Sequence, residues 1–237
     1  GPEDEEIPVI VYGDTANAVR SPQQDIEWPS LADAPWPMAF RSPQGVARVP
    51  YPGPDYGIIS MTVKLDGGHD ICYQQPIIGN DNSVYIPPYE GGLQAYTYNG
   101  DSLWQITETD LGADIHFTHF NSPVIDSQGN IYSCAHSHYG HDSIYVFSVD
   151  SQGVINWQTG ITGEYASIIT IGKYGTVFLI TRDGTLYAFN SADGKLKWKS
   201  KGNSGYTHST LGAMPFSPDG STMYLSGSGG TLNAVST

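Results

Sequence analysis

Positive charge is scarce in this chain: 10 of its 237 residues are Lys or Arg, against 24 Asp or Glu, for a formal net charge of −14. Nucleic acid and anionic membrane surfaces are therefore not expected partners, because both would be repelled. Cations and neutral or basic ligands remain. Cysteine is nearly absent too. Cys72 and Cys134 stand far apart, with no CxxC and no adjacent pair, so no disulfide framework or thiolate zinc cluster is expected. Two buried free thiols are the simpler expectation, and a chain of this length can bury a core without either device. No apolar run reaches the ~18 residues that a transmembrane helix needs, so no membrane insertion is expected. No GxSxG occurs and no Ser–His–Asp order stands out. No leader is visible, which says little about compartment because leaders are removed in processing.

What is abundant points to strands and turns. The chain has 28 Gly, 16 Pro and 16 Tyr with only 14% charged residues, a composition suited to many short strands joined by tight turns. A repeat sets their arrangement. QQPIIGNDNSVYI (74–86), NSPVIDSQGNIYS (121–133), SIITIGKYGTVFL (167–179) and AMPFSPDGSTMYL (213–225) align. Each has an apolar run, a turn rich in Gly, Asn or Asp, and a second apolar run. Their late aromatics, Tyr85, Tyr132, Phe178 and Tyr224, fall at intervals of 47, 46 and 46. Each copy continues into a third strand: LQAYT (93–97), IYVFS (144–148), LYAFN (186–190) and LNAVS (232–236). Fourth strands follow in three copies, around Trp104, Trp157 and Trp198.

Four strands per repeat of about 45 residues is the pattern of a β-propeller blade. The expected fold is all-β, a β-propeller of four-stranded blades. Four blades are expected, closed by an N-terminal strand at residues 57–65 (GIISMTVKL), which supplies the strand that the fourth copy lacks and removes open sheet edges. Half of an eight-bladed ring completed by a second copy, or a fragment of a longer chain, stays open as an alternative.

TRDGTLYAFNSADGKLKW (181–198) resembles the PQQ-like propeller repeat, with its Ala-x-Asn step, Gly-Lys and Trp. WPMAFRSPQGVARVPYPGP (36–54) resembles the leader that precedes the propeller in many secreted proteins of that superfamily. Together these matches span residues 36–237. The resemblance implies an extracellular, cell-surface or periplasmic protein. It does not imply PQQ itself. Quinoprotein dehydrogenases of this repeat type hold the quinone against a vicinal disulfide in rings of seven or eight blades, and this chain has neither feature. The domain reading is therefore an extended N-terminal arm at 1–35 and a PQQ-like propeller at 36–237. The arm is expected to lie over the outside of the ring; the apolar stretch 7–12 could instead add as a strand to a neighbouring copy.

Histidine is the remaining signal. HFTH and CAHSHYGH carry His116, His119, His136, His138 and His141, and His69 and His208 stand apart. In a four-stranded blade the A–B and C–D turns share one face, and the B–C and D–A connections share the other. All seven histidines map to B–C or D–A connections, with the five of blade two in adjacent ones. Imidazoles from both could converge on Zn²⁺ or another divalent transition metal, with Asp114 and Asp142 as further ligands or as acceptors that orient the rings. The spacing matches no standard zinc motif.

Two functions are weighed. The first is a non-catalytic secreted or surface propeller, a binding or structural scaffold for a protein partner or copies of itself, self-assembling through its arm. The alternative is a metal- or His-dependent enzyme of lyase or hydrolase type, acting on a saccharide or small polar substrate at the histidine face.

Overall fold

The computed structural model describes residues 26–39, 41–43, 62–65, 74–88, 91–112, 119–136, 143–163, 166, 168–201, 214–227 and 231–237. Every regular element among them is a β-strand, and all the ladders are antiparallel.

Blade one runs β1 (Ile77–Ile78), β2 (Val84–Ile86), β3 (Leu93–Tyr96) and β4 (Ser102–Ile106), paired in that order. In blade two the first strand is split into β5 (His119–Phe120) and β6 (Val124–Ile125). Both pair with β7 (Ile131–His136), which leads to β8 (Ser143–Val149) and β9 (Ile155–Thr162). Blade three is β10 (Thr170–Ile171), β11 (Thr176–Ile180), β12 (Thr185–Asn190) and β13 (Leu196–Lys201). The fourth repeat holds a bridge from Phe216 to Met223, then β14 (Thr222–Gly227) paired with β15 (Thr231–Ser236). The protein is a β-propeller with four blade repeats. Of the expected closing strand, residues 57–61 lie outside the described residues. Residues 62–65 are described and join no ladder among the described residues.

The turns explain much of the acidity. In DSQGN, Asp126 accepts the N–H groups of Gln128 at 2.9 Å and Asn130 at 2.8 Å. In DSQGV, Asp150 accepts those of Gln152 and Val154, both at 2.9 Å. Each turn then passes through a glycine in the left-handed region, Gly129 at φ 86° and Gly153 at φ 82°, where a Cβ would be strained. Asp holds such turns by imitating a backbone acceptor.

One aromatic pair recurs in each of the first three blades: Tyr85 with Trp104, Tyr132 with Trp157, and Phe178 with Trp198, at centroid distances of 5.7, 5.9 and 5.8 Å. A register shift between the third and fourth strands sits beside each Trp, a local bulge that re-aims the side chain. The Trp edge then reaches the next blade. Trp104 Nε1 donates to the Ser151 carbonyl at 3.0 Å, and Trp157 Nε1 to the Ser191 carbonyl at 2.7 Å. These rings fasten neighbouring blades.

The inner edges of the blades are covered by residues 26–39 and 41–43 rather than left open. Trp36 bridges Ile78 of β1; Met38 bridges Val124 of β6, and Leu31 bridges Asp126. Trp28 Nε1 donates to the Ile171 carbonyl at 3.0 Å, and Ser30 Oγ to that of Gly172 at 2.7 Å. The Phe216 N–H donates to the Pro43 carbonyl at 3.1 Å. One short segment thus meets the first strand of all four repeats, which is possible only where those strands converge, at the axis. Residues 1–25, including the 7–12 stretch, lie outside the described residues. From residue 26 the chain does not lie over the outside of the ring, because Trp28, Trp36 and Met38 carry too much apolar surface to leave in water. Full burial of such side chains is worth about 1.5–3 kcal/mol each, and Trp28 and Met38 are buried.

Candidate functional site

His119 and His136, one histidine from each stretch, meet at one end of blade two. β5 and β7 are antiparallel, with His119 opposite His136 and Phe120 opposite Ala135 as Cα partners. Three residues, Asn121 to Pro123, then face two on β7 before the register resumes at Val124 opposite Tyr132. Asn121 holds this bulge. Its N–H donates to the Cys134 carbonyl at 2.8 Å, its carbonyl accepts the Ser133 hydroxyl at 2.7 Å, and its side-chain amide reaches Cys134 Sγ at 3.1 Å and the Ala166 carbonyl at 3.2 Å.

The placement of His119 and His136 differs from the expectation. The repeat places both in connecting loops; both belong to strands, because β5 gives the far half of β7 a partner and extends its ladder to His136. The His136 side chain is buried. His116, His138 and His141, like His69 and His208, lie outside the described residues. The register therefore brings together two of the five expected ligands. Among the described residues no group of three His, Cys, Asp or Glu side chains could hold a metal ion. The Cys134 thiol is buried, and burial pushes its pKa up to about 12. A thiol so shifted stays protonated near neutral pH and is neither a nucleophile nor a ready metal ligand.

A cleft lies on the turn side, between the A–B and C–D turns of blade one and the C–D turn of blade two. This cleft of about 470 Å³ is lined by Asp81, Tyr98, Asp101, Leu103, Trp104 and Gln152, among others. Tyr98 is 68% exposed and Leu103 47%. Asp81 is committed to its own turn, accepting the Ser83 N–H at 3.0 Å and hydroxyl at 2.9 Å. Asp101 accepts the Thr97 hydroxyl at 3.4 Å. Carboxylates held this way offer their remaining lone pairs to cationic or hydroxyl groups, and the exposed phenol ring offers a stacking surface. Little in the sequence marks this cleft, because its lining comes from ordinary turns and from Leu103 and Trp104 of β4. The available signal was an aromatic in YNGDS, a turn otherwise built of small polar residues.

Val154, Tyr174 and Leu196, at 60, 84 and 44% exposure, belong to the turn side of blades two and three. The turn side thus carries scattered apolar groups, and the other end of blade two carries His119 and His136.

No helix among the described residues is long and apolar enough to cross a membrane. Among solved structures, the computationally designed Ika8 protein is similar, with a TM-score of 0.51 at 16% identity over 74% of this chain and 48% of that one. At that identity the likeness is one of fold. The outer membrane protein assembly factor BamB of Yersinia pestis is 31% identical over 117 residues, 49% of this chain but only 29% of that protein. The family model described as outer membrane protein assembly factor BamB matches residues 90–237, from the end of the first B–C loop through β15. With well over half of its length so matched, the chain belongs to that family.

Proposed function

We propose that this propeller is a non-catalytic, protein-binding scaffold that serves the assembly of outer-membrane proteins, at the periplasmic side of the outer membrane. The family match over residues 90–237 carries the reading. The geometry is consistent with it. Rigid blades fastened by Trp104 and Trp157 present a turn side with exposed Tyr98, Val154 and Tyr174, the kind of apolar group that docks a protein. The acidic balance would favour a basic or neutral partner surface over a lipid one.

The test is reconstituted assembly. A β-barrel protein is folded into lipid vesicles containing the assembly machinery, with and without the purified chain, and the folded fraction is followed by heat-modifiable electrophoresis. The chain should raise the folding rate, and a Tyr98→Ala/Tyr174→Ala variant should lose part of that effect while melting normally. An unchanged rate, together with no measurable binding to the machinery's water-soluble domain, would overturn the reading.

A second reading has one observation behind it. His119 stands opposite His136, one residue from each histidine stretch, so a Zn²⁺ site formed by His116, His119, His136, His138 and His141 is compatible with the register. Elemental analysis after dialysis against zinc decides it. One equivalent retained by the native chain and lost in His138→Ala/His141→Ala supports the site; none retained removes it.

A further inference from the structure

We propose that the inner edges of the blades form an axial peptide-binding site, and that residues 26–39 are its ligand, bound in cis. The inference is independent of the assembly reading. Its basis is how the segment is held. Strands within the blades are joined to sequence neighbours through ladders of two to seven residue pairs; residues 26–39 instead make isolated, paired contacts with edges from different blades. Trp36 and Ile78 exchange backbone hydrogen bonds at 3.4 and 2.8 Å. The Ile125 N–H donates to the Pro37 carbonyl at 2.8 Å, and its carbonyl accepts the Ala32 N–H at 3.0 Å. The Ser127 N–H donates to the Ser30 carbonyl at 3.0 Å. This is recognition by strand addition, in which backbone groups of an extended peptide satisfy open sheet edges and alternate side chains fill pockets.

The pockets are distinct. Trp28 packs with the Phe178, Phe216 and Met223 cluster, its ring 5.2 Å from that of Phe216, and Lys173 Nζ lies 5.8 Å over the Trp28 ring. Met38 enters the cluster of Val124, Tyr132 and Ile171. Trp36 packs against the cluster of Ile77 and Tyr85. Each of the three core clusters thus receives at least one large anchor from the segment. The ligand class is an extended peptide with two tryptophans eight residues apart, the second followed by Pro-Met.

The site should accept the same sequence in trans once the resident anchors are weakened. The experiment uses the full chain carrying Trp28→Ala/Trp36→Ala and a fluorescent synthetic peptide of residues 26–39. The variant should melt below the parent, bind the peptide with a rise in anisotropy, and regain melting temperature as the peptide saturates it, as expected for a ligand of the native state. The parent chain, whose segment acts at high effective concentration, should bind at least ~100-fold more weakly. A peptide carrying both Trp→Ala changes should not bind. A folded variant that takes up no peptide overturns the proposal. If the double variant does not fold, the single Trp36→Ala variant, altered at a half-buried anchor, is used in the same assay. Failure of that variant to fold or to take up peptide shows the segment to be core rather than ligand, and also overturns it.

Discussion

β12 and β15 hold the same place in consecutive repeats, LYAFN against LNAVS, yet their surroundings differ. β12 is paired on both sides, to β11 and β13, and its residues from Thr185 to Phe189 are buried. β15 is paired to β14 alone among the described residues, and its pattern alternates between exposed and half-buried. Leu186 is 2% exposed where Leu232 is 74%. The effect reaches the next strand in: Phe178 of β11 is 1% exposed, while its repeat partner Tyr224 of β14 is 37%. A residue's burial in this fold is thus set less by its place in the repeat than by the strand and blade beyond it.

The largest effects should come from the core side chains of blade three. Phe189→Ala removes a fully buried ring and should cost about 3–5 kcal/mol, read from urea or thermal unfolding. Leu232→Ala, the truncation on the open strand, should stay within about 0.5 kcal/mol. Equal losses at the two sites would mean that β15 is covered in solution.

Blade contacts give the next tier. A Cβ on Gly194 would lie 2.3 Å from Trp157 Cε3, and one on Gly129 would meet nothing within 4 Å. Both glycines have positive φ, 67° and 86°. Gly129→Ala should therefore cost only the backbone strain, about 1–2 kcal/mol. Gly194→Ala should add about 1–3 kcal/mol of overpacking to it. A smaller change separates the Trp residues themselves. Trp157→Phe keeps the ring packing but leaves the Ser191 carbonyl with only the longer Tyr132 hydroxyl contact at 3.5 Å, a loss of about 1 kcal/mol. Trp198→Phe should lose less, since no C–D turn follows it among the described residues.

The repeat was legible because its signals are local. Alternating apolar residues set Tyr85, Tyr132 and Phe178 inward, and Asp and Gly at fixed offsets produce the turns at 126–130 and 150–154. The third strands at 93–97, 144–148 and 186–190 overlap β3, β8 and β12. Residues 26–39 were not legible. Trp28, Leu31, Trp36 and Met38 follow neither period 2 nor 3.6, and their partners are far along the chain: Ile171 lies 143 residues beyond Trp28. Nothing in a proline-broken stretch announces which edge it will meet. The histidines fall between these cases. Their convergence on blade two is an expectation from the repeat; of the five, His119 and His136 are described, and the register sets them opposite each other. Their strand assignment depended on a split first strand that no turn residue marks.

The smallest expected effect separates the A–B turns of blades three and four by pH. SPDG in blade four holds Asp219, whose carboxylate accepts the Ser217 hydroxyl at 2.6 Å and the Ser221 N–H at 3.1 Å. These bonds, the Ser217 hydroxyl first, lower its pKa to about 2. GKYGT in blade three has no carboxylate. A folded pKa below the unfolded value of about 3.9 means that the stabilisation is complete above that value and is lost as pH falls towards about 2. Asp219→Asn should therefore flatten the melting-temperature profile between about pH 4 and pH 2, with little change at neutral pH beyond the altered turn. Other carboxylates will still contribute to the acid limb, so the readout is the difference between the two profiles. An identical slope in parent and variant would show that the Asp219 turn is already open before its carboxylate is protonated.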